Sequence, residues 1–210
     1  VRIISWKKGW FTKSIFVSFI LLFTVLEVTF NTHAQITGVK DEWVFPTREG
    51  YERQLTEISK LVALSKERTK TFFRTERNLP QTGNDSMKFG YNGISQFSSI
   101  RNRLSSSMLD RLGYKSTGTN LHLRYQNNTL IAESLFGIKY LLASEDVPNK
   151  YGFSLVASED AVSLYENSNA SQLAILTNGV YKDVKFTVNT LDNQTALLNQ
   201  LTGLHDIYFS

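Results

Sequence analysis

The longest uninterrupted apolar stretch is Ser14–Phe30, SIFVSFILLFTVLEVTF, in which Glu27 is the only ionisable side chain. With Trp10 and Phe11 it approaches the ~20 helical residues that cross a hydrocarbon core about 30 Å thick. Beyond it the pattern shifts to shorter amphipathic segments. Tyr51, Leu55, Ile58, Leu61 and Val62 recur at helical spacing, with Glu49, Arg53, Glu57, Lys60 and Glu67 between them, which predicts a helix over 47–68 with one buried face. Thr71–Arg77 (TFFRTER) predicts a strand, ended by Asn78-Leu79-Pro80 and a polar turn over 81–85. Leu104, Met108, Leu109 and Leu112 share one face of a predicted helix over 102–112, with Ser98 or Ser99 as its cap and Gly113 as its stop. Leu121–Tyr125 predicts a short strand with a turn at Asn127-Asn128, Thr129–Phe136 a short helix stopped by Gly137, and Ile138–Ala143 a buried strand. Phe153–Ala157 and Val162–Tyr165 alternate around Ser158-Glu159-Asp160 as a hairpin. Leu173–Leu176 and Val184–Val188 are further strand candidates, and 192–202 reads as a helix with Leu197, Leu198 and Leu201 inward.

Together these elements predict an α+β fold: one N-terminal transmembrane helix followed by an extracytoplasmic mixed α/β domain, truncated at its C-terminus where IYFS (207–210) begins another strand. The expected divisions are a cytoplasmic basic flank over 1–13, the transmembrane helix over 14–33 and a juxtamembrane connector over 34–46, with Gly38 and Pro46 as breakers. An α+β domain over 47–168 follows, and then the start of a further β-rich region over 169–210. The opening Val1 predicts an internal piece of a longer protein. A cleaved signal peptide is the alternative for the N-terminus, since Thr32-His33-Ala34 offers small residues at cleavage-site spacing. The length of the apolar run and the acid inside it favour an anchor.

Charge supports that topology and little else. Arg2, Lys7, Lys8 and Lys13 precede the apolar run, so the basic flank is expected in the cytoplasm and the main domain outside the membrane. Residues 1–33 hold four basic residues and one acid, leaving 19 basic and 18 acidic over the other 177. The net +4 therefore reflects the leader and gives no sign of a nucleic-acid surface. The chain has no cysteine, and His33, His122 and His205 form no HxH or HxxxH pair, so neither a disulfide framework nor a metal site is expected.

No GxSxG, P-loop, GxGxxG or HExxH motif is present, and spacing nominates no catalytic residue and no cofactor site. The least ordinary soluble segment is FGYNGISQFSSI (89–100), where Gly90 and Gly93 bracket Tyr91-Asn92. It reads either as ordinary turn and cap chemistry or as a polar loop that binds a ligand through Tyr91, Asn92, Ser95 and Gln96. In the apolar helix Glu27 and Asn31 lie four residues apart on one face. An acid there either meets a partner or reaches water at the membrane boundary.

The ordered series LEVTFN, YNGISQFSS, SLFGIKYLL, SLYEN and LLNQLTG resembles bacterial YfhO-type membrane proteins along nearly the whole chain. That resemblance implies a longer parent with many membrane helices upstream, similar to GT-C glycosyltransferases. These use a polyprenyl-phosphate sugar on the outer membrane face, and some members of the YfhO-type family are implicated in glycosylating cell-wall polymers such as teichoic acids. Their catalytic acid lies in an early outer loop that this chain does not include, so no catalytic residue carries over. The expected partners are the lipid bilayer, upstream helices of the same parent and a cell-wall polymer acceptor. The expected role is the non-catalytic outer portion of such an enzyme; the alternative is a membrane-anchored binding or assembly module without activity.

Overall fold

The computed structural model describes residues 13–42, 47–100, 102–117, 122–125, 128–144, 150–177, 179 and 181–205. Contacts divide the chain after Tyr51 into an N-terminal unit and a unit from Glu52 onward.

The N-terminal unit is built on α1 (Lys13–Glu42), a single helix of 30 residues, about 45 Å at 1.5 Å per residue. It is the one helix among the described residues that is long and apolar enough to cross a membrane, and none of its apolar window is buried. Gly38 does not break it, contrary to the sequence expectation; the helix continues to Glu42 through most of the expected connector. A lone glycine costs a helix only about 1 kcal/mol against alanine, less than many turns of hydrogen bonds supply. The remainder of the 1–13 flank, Trp10, Phe11 and Pro46 lie outside the described residues.

The sequence predicts one helix over 47–68, but the structure has two, α2 (Arg48–Glu52) and α3 (Leu55–Arg68). They part at Gln54, which takes a left-handed φ of 60°. The Gln54 side chain accepts a hydrogen bond from Arg77 Nη2 at 2.7 Å, a tertiary contact that continuous helix would not deliver. After α3 come β1 (Arg74–Arg77), α4 (Asp85–Phe89), β2 (Gln96–Phe97), α5 (Arg103–Arg111), β3 (Lys115–Thr117) and β4 (His122–Arg124). Then follow α6 (Leu130–Leu135), β5 (Ile138–Ala143), β6 (Phe153–Glu159), β7 (Val162–Asn167) and α7 (Thr190–Thr202).

Four strands pair in the order β1-β5-β7-β6, with β1 parallel to β5 and the other pairs antiparallel. Three short antiparallel strands form a second sheet, β2-β4-β3. β5 is buried almost throughout, as its continuous apolar sequence requires. Tyr140 and Leu142 meet Ile58, Leu61 and Val62 of α3 in one core cluster, whereas Ile138 and Leu141 meet Tyr114, Leu123 and Tyr125 in a second. Gly137 before β5 has a φ of 64°, and a Cβ there would lie 2.9 Å from the Ser171 carbonyl. This close approach lets the chain after β7 lie against the start of the sheet.

Several boundaries differ from expectation. Asn102 rather than Ser98 or Ser99 caps α5, its Oδ1 accepting from the Leu104 and Ser105 amides at 2.9 and 3.1 Å. β3 follows Gly113 where a loop is expected. The hairpin turns at Asp160-Ala161, one residue beyond its predicted centre, with Asp160 at a φ of 47°. Leu173–Leu176 and Val184–Val188 form no strand; Leu176 and Val188 are fully exposed, and strand propensity without a neighbouring edge yields no ladder. The described part of 169–210 holds a 3-10 turn at Tyr181–Asp183 and α7, rather than strands. α7 is tied to the end of α5, with Asn193 Nδ2 and Gln194 Nε2 each donating to a carbonyl, of Arg111 and Leu112, at 3.0 Å. Leu121, Asn127 and 207–210 lie outside the described residues.

Candidate functional site

The segment 89–100 is fastened beside β1 at Asn92, Ile94 and Ser95, and pairs with β4 at Gln96–Phe97. α4 stops at Gly90, and the Thr75 amide donates to the Asn92 carbonyl at 2.8 Å while Asn92 Nδ2 donates to the Phe73 carbonyl at 3.3 Å. Glu76, only 1% exposed, then takes the loop in its carboxylate. Oε1 accepts from the amides of Ile94 (2.5 Å) and Ser95 (3.1 Å), and Oε2 accepts from Ser95 Oγ at 2.6 Å. Ser95 Oγ accepts in turn from the Tyr125 amide at 2.9 Å. This hydroxyl thus donates to β1 and accepts from the residue after β4, so its position is fixed by the chain's own fold. Gly93 serves the same packing, since a Cβ there would stand 3.1 Å from Ser86 Cβ and 3.4 Å from the Thr75 carbonyl.

A cleft opens where this loop meets the 82–86 turn and β4, lined by Glu76, Thr82, Ser86, Tyr91, Ser95 and Arg124 among others. Its interior is about 10 Å³, room for one ordered water. A sugar ring would therefore touch the rim and not enter. Of the four sequence candidates, Tyr91 and Ser95 line the cleft; Asn92 and Gln96 are exposed beside it. Burial pushes the Tyr91 phenol up, helped by the negative charges of Glu76 and Asp85.

Burial also raises the Glu76 carboxyl, against the pull of Ser95, the two loop amides and Arg74. The folded state thus holds the proton to higher pH than the unfolded chain, so stability falls as pH rises from the ordinary 4.5 through the raised value. Glu76→Gln is expected to reduce the overall slope by the share due to Glu76 in urea titrations from pH 4 to 8. Glu76→Ala should cost about 1–3 kcal/mol for each amide left unpaired. An unchanged slope in the Gln variant would assign the titration elsewhere.

A second polar centre escaped sequence reading. Glu133 on α6 is fully buried and its Oε1 accepts from Lys150 Nζ and from Tyr125 OH, while Oε2 has no partner among the described residues. Lys150 Nζ also donates to the Asn128 carbonyl at 2.7 Å and lies 5.2 Å from the Phe153 ring centre. Burial raises the Glu133 carboxyl and lowers the Lys150 ammonium, each partly offset by the other's charge. The available signal was an acid inside the otherwise apolar helix sequence LIAESLF, on the face with buried Ala132. Tyr125 connects the two centres, its amide to Ser95 and its hydroxyl to Glu133.

Glu27 and Asn31 share a face of α1, one turn apart, and have no partner among the described residues. No group of three metal-ligating side chains occurs among the described residues.

A family model described as bacterial membrane protein YfhO matches residues 2–210. No curated protein and no solved structure matches the chain.

Proposed function

Because the chain belongs to the YfhO family of bacterial membrane proteins, we propose that it is the non-catalytic outer portion of a polytopic glycosyltransferase of the GT-C kind. The parent enzyme transfers a sugar from a polyprenyl-phosphate donor to a cell-envelope polymer of the teichoic-acid type. α1 is the membrane-crossing element, its N-terminus is cytoplasmic, and the unit from Glu52 onward is extracytoplasmic. The observation that carries this reading is the single family match, which spans both the apolar helix and the folded unit behind it. The engagement of Ser95 Oγ and Glu76 with the chain's own backbone supports an accessory role for this segment. The rim residues Tyr91, Asn92, Ser95 and Gln96 contact the acceptor polymer. Asn92 and Gln96 are exposed there on a loop whose backbone is fixed, which lowers the entropy lost on binding.

The test uses the intact protein that carries this chain, in proteoliposomes supplied with polyprenyl-phosphate sugar and teichoic acid. Sugar transfer is expected, and Asn92→Ala with Gln96→Ala should lower it several-fold with the unit still folded, Gln96→Ala alone leaving the melting temperature unchanged. Protease added to protoplasts should digest the outer unit and spare an N-terminal tag. Polymer binding without transfer would select the anchored binding module instead. A protected outer unit would reverse the orientation.

A further inference from the structure

We infer that one face of α1 is a docking surface for a second membrane-spanning helix of different sequence, which presents a Lys or Arg side chain level with Glu27. The inference rests on α1 crossing a membrane, as proposed above.

At about 100° per residue, Thr24, Glu27, Asn31, Gln35 and Gly38 fall within an arc of about 80°. Their spacing of 3, 4, 4 and 3 is that of a helix–helix seam. Phe19, Phe23, Leu26 and Phe30 gather on a different face, which suits lipid tails. Thr29 also lies off the stripe and needs no neighbour, because its Oγ1 donates to the Val25 carbonyl at 2.7 Å. The stripe is different. Glu27 and Asn31 find no partner among the described residues, and acyl chains offer none. Gly38 has nothing within 4 Å of where a Cβ would be, so a neighbouring helix can approach the backbone closely at that end.

Charge decides the occupant. Copies of one membrane protein insert in one orientation, so two copies packed about a twofold axis run parallel and meet like against like. Glu27 would then face Glu27, two acids in a medium that screens them poorly. A helix carrying a basic side chain at that level satisfies the acid, while its own amide or hydroxyl groups can meet Asn31 and Thr24.

The chain contains no cysteine, so a single Ser18→Cys, off the stripe, takes a donor fluorophore. The full chain goes into phosphatidylethanolamine–phosphatidylglycerol vesicles with an acceptor-labelled synthetic Leu-rich helix. That helix is oriented by a basic flank and carries either one Lys level with Glu27 or Leu throughout. Energy transfer should report at least roughly tenfold tighter association with the Lys helix. Glu27→Leu should abolish that preference, and Thr29→Leu should leave it intact. Resistance of the chain to alkaline extraction is read separately, so a failure to insert is distinguished from a failure to dock. Equal affinity for the two helices would overturn the inference. So would self-association of the wild-type chain that Glu27→Leu removes, which would assign the face to a second copy.

Discussion

Asp85→Ala is expected to lower the stability of the unit from Glu52 onward by about 3–5 kcal/mol, because it strands a buried guanidinium. Asp85 and Arg77 have side chains 3% and 2% exposed, and Nη1 donates to Oδ2 at 2.9 Å. The carboxylate has no spare capacity. Oδ2 also accepts from the Gln81 amide at 2.8 Å, and Oδ1 accepts from the Thr82 amide and hydroxyl at 2.7 and 2.8 Å. On the other side, Arg77 Nη2 donates to Gln54 Oε1 at 2.7 Å and to Ser144 Oγ at 3.0 Å. One ion pair thus ties the break between α2 and α3, the 81–85 turn and the end of β5 to β1. Removing the acid leaves the turn amides unpaired and the cation without its counter-charge, costs that add. Urea unfolding followed by tyrosine near-UV circular dichroism measures this. Tryptophan is unsuitable, since Trp6, Trp10 and Trp43 all lie outside the unit. With a slope of about 1–3 kcal/mol per M, the midpoint should fall by at least 1 M. A loss under about 1 kcal/mol would mean that water replaces the carboxylate, and the pair would then have no organising role.

What the sequence displayed, it displayed through periodicity. β5, β7 and α3 were legible because each sets apolar residues against the core, as Ile58, Leu61 and Val62 do on α3. α5 and α7 were legible as helices but less so in their faces, since Leu104 is 80% exposed and α7 buries Asn193 and Gln194 beside Leu197. The turn ended by Asp85 was legible as polar residues after Pro80, but its purpose was not. Nothing in QTGND indicates that its acid is buried, because the partner Arg77 stands eight residues earlier, at the end of a predicted strand, in no motif that links the two. Of the two glycines bracketing Tyr91-Asn92, Gly93 marks a close approach, to Thr75 and Ser86 of the same chain, and Gly90 a left-handed φ of 71°. Leu173–Leu176 and Val184–Val188 were overread for the opposite reason, since propensity is local and a strand requires an edge to pair with. The Glu133–Lys150 contact lies 17 residues apart across β5, a separation that no motif encodes.

That contact sets up the sharpest energetic contrast in the molecule. Glu133 is 0% exposed and Lys150 15% by side chain, so both ions lie largely out of water. Truncating either alone, as Glu133→Leu or Lys150→Met, is expected to cost about 3–5 kcal/mol, because the survivor keeps an unpaired buried charge. The double variant should cost far less than the sum and, with Tyr125→Phe to remove the orphaned hydroxyl, should come within about 1 kcal/mol of wild type or exceed it. The pH dependence follows from the two shifts. Native Glu133 keeps its proton above the ordinary 4.5, so the unfolded state binds fewer protons and stability declines as pH rises through that window. Native Lys150 releases its proton below the ordinary 10.5, so the unfolded state binds more and stability recovers as pH climbs toward that value. Between the two windows the wild-type fold carries both buried charges, and there the apolar triple variant gains most relative to it. Chemical denaturation from pH 4 to 10.5 tests this directly. Additive single-variant losses, or a triple variant whose pH profile parallels the wild type, would show that the two charges are solvated and independent.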